Sequence, residues 1–443
     1  MIGDKTIEAI KLSAFKLNCL SISLTQTVST NPIVFAGTGE ICQDEHGNLT
    51  FSCSASEVKN LDWAQWFNRA MGSKPGKLVS SENYFDLRLK DDEGREWTAS
   101  NVKVNWTWHA EGPYTANGNL THLCHTSSVE NDARESCVLH FFDDVKLPFW
   151  PAHRAAQFES KFAQIEVHEE SKGHFIVHAK ASDKLPASFP LRIEEALGFL
   201  TSVEASPQII TVSDSCKSQT TIYSKGLKPP SGSIPRPLGG NITEFFDYGW
   251  ELFRCYLDYI ASTSKPGLRS HVSYYVHNAR TTSSGSVDSW AVSVSVAVEG
   301  LSNLLGPRVT PSQKILVGEF RDWLMPLVAS NPKFSTFNER LGGLIGMLAV
   351  ESVKDRLSSL IETNEVTAAY VSAWNNLRNK FVHPKAKDLV AFSDEKLQQL
   401  LDLLYKVTAL MYEIIFHLIG YRGPYRDCGT DGWPIRRIST SSG

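Results

Sequence analysis

Two hydrophobic periods divide the chain. From about residue 32 to 225, short runs of Val, Ile, Thr and aromatic residues alternate with polar positions and are separated by turn signals, the pattern of half-buried strands. GEICQDEHGNLTFSCS, with His46, Gly47 and Asn48 at its centre, predicts a β-hairpin. So does YFDLRLKDDEGREWTASNVKVNWTWHA, whose turn is Asp91, Asp92, Glu93 and Gly94, three carboxylates expected to be solvated. CVLHFFDDVKL, AQIEVHE, HFIVHAKA and QIITVS predict further strands. A helix is expected at 191–203, where Ile193, Ala196, Leu197 and Leu200 share a face.

Past residue 242 the period lengthens to that of amphipathic helices, predicted at 243–261, 287–305, 312–329, 336–361, 365–382 and 393–420. In the last, Leu397, Leu400, Leu404, Val407, Met411, Ile414 and Leu418 line one face, Ser393 is placed to cap the start and Gly420 follows the end. Between the halves, KGLKPPSGSIPRPLGGN carries four prolines and clustered glycines, which sustain neither a helix nor an interior strand. The expected fold class is therefore α+β: a mainly antiparallel β domain over 1–224, a linker at 225–241 and an all-α bundle over 242–443. No period of 20–50 residues recurs, which disfavours a solenoid or propeller.

Composition narrows the function classes. With 44 Lys and Arg against 48 Asp and Glu in 443 residues, the net charge of −4 excludes a polybasic coat for nucleic acid, so any such contact is local. The start, MIGDKTIEAIKLSAFKLNCLSISL, breaks its apolar residues with Asp4 and Glu8 and does not read as a secretory signal. The best apolar windows, 287–305 and 401–420, are interrupted by polar residues such as Asp288, Glu299, Lys406 and Glu413. A cytoplasmic protein without a membrane span is expected. The eight cysteines form no Cys-x-x-Cys pair, and His122, Cys124 and His125 in THLCHTS lack a second cluster, so no metal and no cofactor is expected. Trp63, Trp66, Trp97, Trp106, Trp108 and Trp150 crowd the first half and are assigned to the core.

One segment concentrates chemistry: AYVSAWNNLRNKFVHPKAK at 369–387. Tyr370, Trp374, Leu377 and Phe381 fall at helical spacing and face the bundle, leaving Arg378, Asn379 and His383 to point elsewhere. On a regular helix five residues would separate Arg378 from His383 by ~140° and ~7.5 Å. Pro384 disfavours helix at the residue before it, which frees the His383 ring to swing towards the arginine. A fixed cationic fork beside a group that titrates near neutrality suits RNA, which carries its own nucleophile and needs only proton transfer and stabilisation of phosphate charge. Lys380, Lys385 and Lys387 flank the segment as candidate RNA contacts, and Arg422, Arg426, Arg436 and Arg437 add basic residues in the tail.

AWNNLRNKFVHPK resembles the R-N-x-x-x-H signature of HEPN domains, helical bundles many of which are metal-independent ribonucleases. SWAVSVSVAVEGLSNLL, with Glu299, and FHLIGYRGPYRDCGTDGW, with Tyr421, Gly423, Tyr425 and Asp427, are similar to segments of the Apea-type group, so the resemblance spans roughly 245–435. It implies an endoribonuclease of the HEPN type acting as an anti-phage, abortive-infection effector. RNA is then the substrate, and the chain forms a homodimer or higher homo-oligomer whose protomers share a cleft. Arg378, Asn379 and His383 are catalytic, Glu299 an orienting acid, Tyr421, Gly423, Tyr425 and Asp427 a packed cap, and the β domain a sensor of a phage-derived trigger. A catalytically inert dimerisation or RNA-binding scaffold is the alternative. A carbohydrate-binding β-sandwich built on the tryptophans is a third, more distant reading.

Overall fold

The computed structural model describes residues 2–61, 81–107, 114–129, 134–142, 145–149, 154–225, 234–239, 245–306, 311–331, 333–348, 351–382 and 393–438. The chain falls into two compact units, Met1–Glu194 with Val203–Pro229, and Glu195–Ser202 with Pro230–Gly443. The first is mainly antiparallel β and the second mainly helical, an α+β class. No helix among the described residues is long and apolar enough to cross a membrane.

The first unit opens with helix α1 (Asp4–Lys11). Its strands are β1 (Lys16–Gln26), β2 (Val34–Gln43), β3 (Leu49–Lys59), β4 (Tyr84–Asp91), β5 (Glu96–Lys103), β6 (Asn105–Thr107), β7 (Tyr114–Leu120), β8 (His122–Ser128), β9 (Ser136–Phe141), β10 (Ala155–Glu159), β11 (Ala163–Ser171), β12 (His174–Ala181), β13 (Ile209–Ser213) and β14 (Lys217–Tyr223). Among the described residues they form one sheet in the order β10-β11-β12-β9-β13-β14-β8-β5-β4-β1-β2-β3-β7-β6. Alternation decides which face is buried: in β3, Leu49, Phe51, Cys53 and Ala55 point inward and Ser52 and Ser54 outward. The two hairpins expected around Gly47 and Gly94 are β2–β3 and β4–β5, with Gly47 at φ 84° and Gly94 at φ 80°.

Asp91 departs from expectation. It is fully buried at the end of β4, where its carboxylate accepts from the backbone N–H of Glu93 and Arg95, the Arg95 guanidinium at 2.7 Å and the Trp97 indole at 2.9 Å. Burial pushes its pKa up, but these donors outweigh it and hold the group below the usual carboxylate range. Trp97 is buried and Trp106 partly buried in the same core, while Trp63, Trp66, Trp108 and Trp150 lie outside the described residues. All eight cysteines are unpaired. In β8 the candidate metal ligands bond elsewhere: Cys124 accepts from the Gln219 amide and His125 bonds the Glu96 carbonyl.

Helix α2 (Phe189–Thr201) crosses the unit boundary. Its last turns group with the second unit, where Phe199 stacks on Tyr256 at 4.2 Å and Glu195 accepts from the backbone N–H of Ser270 at 3.0 Å. The second unit continues with α3 (Phe246–Thr263), α4 (His271–Ser283), α5 (Val287–Ser302), α6 (Pro311–Ser330), α7 (Asn338–Leu348), α8 (Val353–Glu362), α9 (Ala368–Phe381) and α10 (Asp394–Ile419), then a small hairpin of β15 (Pro424–Arg426) and β16 (Ile435–Arg437). α4 is an added helix that the sequence pattern did not predict. The helix expected over 336–361 is two, because Ser352 begins α8 with a capping box closed by Asp355. α10 is the central element: α3, α5 and α9 pack on it, and from Val407 to Phe416 every side chain is buried. Ser393 caps its start and Gly420, in the left-handed conformation at φ 70°, ends it.

Candidate functional site

Arg378 sits in the last turn of α9, and the site is built by what holds that helix. Glu413, in the C-terminal third of α10, is 2% exposed and takes the backbone N–H and the hydroxyl of Thr367, each at 2.8 Å, at the start of α9. One turn on, the Tyr370 hydroxyl donates to Asp427 at 2.6 Å. A further turn on, the Trp374 indole donates to the Ser295 carbonyl of α5 at 3.1 Å. Then Arg378 Nε donates to Glu299 Oε2 of α5, also at 3.1 Å. Residues 367, 370, 374 and 378 are spaced by three and four, so all four anchors lie along one face of α9. Their partners Ser295 and Glu299 repeat that spacing on α5.

Asp427 is fully buried and is the most heavily bonded acid of the cap. Besides Tyr370 it accepts from Gly429 N, the Thr430 hydroxyl and Arg436 Nε, at 3.0, 2.8 and 2.9 Å. Tyr425, from the same segment, donates to Glu413 at 2.9 Å. Burial pushes the Glu413 carboxyl up to about 6, with the Thr367 and Tyr425 donors opposing it and the nearby Asp427 charge adding to it. Burial likewise pushes the Tyr370 and Tyr425 phenols up. The Tyr421 hydroxyl donates to the Pro424 carbonyl, and any Cβ at Gly423 would run into the Tyr421 ring. The segment Tyr421–Asp427 is thus a packed cap on α9 and α10.

The residues singled out in the sequence are distributed as follows. Arg378 and Glu299 meet, with side chains 32% and 39% exposed, and the Arg378 guanidinium lies 5.9 Å from the Trp374 ring centre. Arg378 therefore does not point away from the bundle; it faces α5. Asn379 is exposed beside it, and the Lys380 ammonium is 5.5 Å from the Phe381 ring. His383, Lys385 and Lys387 lie outside the described residues, as does Pro384. The tail arginines are committed to internal contacts rather than forming an open basic strip. Arg422 pairs with Glu365, Arg426 bonds the Trp433 carbonyl, Arg436 pairs with Asp427 and Arg437 donates to the Tyr248 hydroxyl.

Glu413 and Thr367 were not singled out from the sequence. The signal was present: a single carboxylate inside ALMYEIIF, an otherwise apolar run in the second half of the last predicted helix. Such a group needs donors supplied from another element. Glu365 is a second case. Burial pushes its carboxyl up, and the Arg422 guanidinium with His417 at 3.3 Å overcomes that and holds it below the usual range. Among the described residues no three His, Cys, Asp or Glu side chains converge as metal ligands. No family model, curated protein or solved structure matches this chain.

Proposed function

We propose that the helical unit is a metal-independent endoribonuclease of the HEPN type, with an anti-phage role triggered through the β-rich unit and with two protomers sharing a cleft. The observation that carries this reading is Arg378: a guanidinium about one-third exposed at the end of a firmly anchored helix, oriented through Nε by Glu299. The two terminal nitrogens lie outside that contact, which suits a fork that grips phosphate oxygens. In the proposed reaction the 2′-OH of one nucleotide attacks the adjacent phosphorus and gives up its proton. The bond to the 5′-oxygen breaks, that oxygen takes a proton, and a 2′,3′-cyclic phosphate remains. His383 transfers these protons and Arg378 stabilises the negative charge that grows on the non-bridging phosphate oxygens.

The same ion pair favours a second reading, an inert scaffold, because Glu299 also neutralises Arg378 in a way any helix–helix contact would use. RNA digestion by the full chain separates them. Wild type should leave cyclic phosphate ends in excess EDTA, His383→Ala should cut at least ~10²-fold more slowly, and Arg378→Lys should also fail. Equal cutting by His383→Ala, or loss of cutting in EDTA, rejects the mechanism.

A further inference from the structure

Helices α6 and α7 carry an apolar surface that is left exposed among the described residues. Among their described side chains only Val328 and Ile345 are buried, and their principal packing partners are each other and the Ser335–Phe337 turn between them. On α6, Leu316, Phe320, Trp323 and Leu327 are 65, 42, 63 and 52% exposed. Their 4–3–4 spacing is that of a helix–helix seam. On α7, Leu344 and Met347 are 52 and 68% exposed. Summed over both helices and the turn, with Ile315, Phe334 and Phe337 included, the exposed apolar side-chain area is on the order of 900 Å², the scale of the about 800 Å² that each partner buries in a standard stable interface.

We infer that this hairpin is the surface on which two copies of the chain associate, α6 and α7 of one lying against α6 and α7 of the other as a four-helix arrangement. Area is the first argument, since so much apolar side chain left exposed on one helical hairpin is unusual for a monomer. Charge is the second. The two helices hold Lys314, Arg321 and Arg340 against Glu319, Asp322 and Glu339, three of each sign, so an identical copy meets no net repulsion. A membrane-surface helix would carry an excess of Lys and Arg on its polar face. The inference shares dimerisation with the nuclease reading but not its chemistry, since Arg378 is on a different helix.

Sedimentation of the full chain tests it. Wild type should be dimeric at micromolar concentration. Trp323→Glu and, on the second helix, Met347→Lys should each weaken association at least tenfold with unchanged circular dichroism, as both side chains are mostly exposed. His383→Ala should stay dimeric. A monomeric wild type, or variants that associate as tightly as wild type, would overturn the inference. So would wild-type flotation with phosphatidylcholine–phosphatidylserine vesicles that Trp323→Glu abolishes. Cleavage in the same samples reports on the nuclease reading separately: monomeric Trp323→Glu that still cuts RNA supports the surface and counts against a shared cleft.

Discussion

Removing the carboxylate of Asp427 should be among the most destabilising single changes in the helical unit. The group has no solvent exposure and accepts from Tyr370, Thr430, Gly429 and Arg436. In Asp427→Ala, Arg436, whose side chain is 40% exposed, can turn to water, but the other three donors are left behind. Each orphaned buried donor costs about 1–3 kcal/mol, less where a water enters the space, and losing one partner of a buried pair typically costs about 3–5 kcal/mol. We expect about 3–5 kcal/mol for Asp427→Ala and about 1–2 kcal/mol for Tyr370→Phe, which removes one donor and leaves the acid satisfied. Because the two side chains share one bond, their effects should not add. In the Asp427→Ala background Tyr370→Phe should cost almost nothing, a coupling of about 1–2 kcal/mol. Urea unfolding followed by far-ultraviolet circular dichroism at 222 nm, where helices dominate, measures all four proteins. Asp427→Ala within 1 kcal/mol of wild type, or strict additivity, would refute the account of how α9 is held.

Glu299→Gln should leave stability within about 1 kcal/mol, because the pair is the one contact among those along α9 in which both side chains are partly exposed; a larger shift in the urea midpoint would show that this contact carries the stability of the helix as the buried ones do. His140 in the β unit is buried against His174 at 3.3 Å, and burial first, then the neighbouring His174 and His168, depress it to about 4. A folded pKa below the unfolded one means the unfolded chain binds more protons, so this contribution is intact above about pH 6.5 and lost as pH falls towards 4. The full effect is about 3 kcal/mol, and a pH series of unfolding midpoints should flatten in that window for His140→Asn. Glu413 has the opposite sign. Its folded pKa of about 6 lies above the ordinary glutamate value of 4.5, so its contribution is full below 4.5 and lost as pH rises to 6, and Glu413→Gln should remove that slope.

How much of this was legible depends on what each pattern encodes. The hairpins around Gly47 and Gly94 were legible because period-two alternation and a turn residue act locally. The start and end of α10 were legible for the same reason, through Ser393 and Gly420. α4 was not, since HVSYYVHNARTTS spreads Ser, Thr and His around the helix and leaves a weak apolar stripe. The break between α7 and α8 was hidden because apolar residues continue at helical spacing across it, while the interruption is a hydrogen-bonded cap at Ser352. Asp91 reads as a solvated turn residue because nothing local announces that Arg95 and Trp97 fold over it. The stripe on α6 was legible as an apolar face, but periodicity identifies a face and not what covers it. The tail arginines show the same limit for charge: clustering in sequence does not reveal that Glu365 and Asp427 are waiting for two of them.

The four anchors of α9 bear on why Arg378 is where it is. An apolar face alone specifies the rotation of a helix better than its position along the axis, since Leu, Val and Ala in successive turns offer similar contacts. A slip of one turn, about 5.4 Å, would keep much of the apolar burial of Val371, Ala373 and Leu377. The same slip would separate Thr367 from Glu413, Tyr370 from Asp427, Trp374 from the Ser295 carbonyl and Arg378 from Glu299 at once. Two of these acceptors, Glu413 and Asp427, are buried carboxylates that cannot be left without donors. The register is thus set by the buried end of the helix, and the position of Arg378 opposite Glu299 follows from it. A partly exposed ion pair worth less than about 1 kcal/mol is too weak to impose that register by itself. Arg378 is held in place from three turns away, which leaves its own guanidinium free to change partners without moving the helix that carries it.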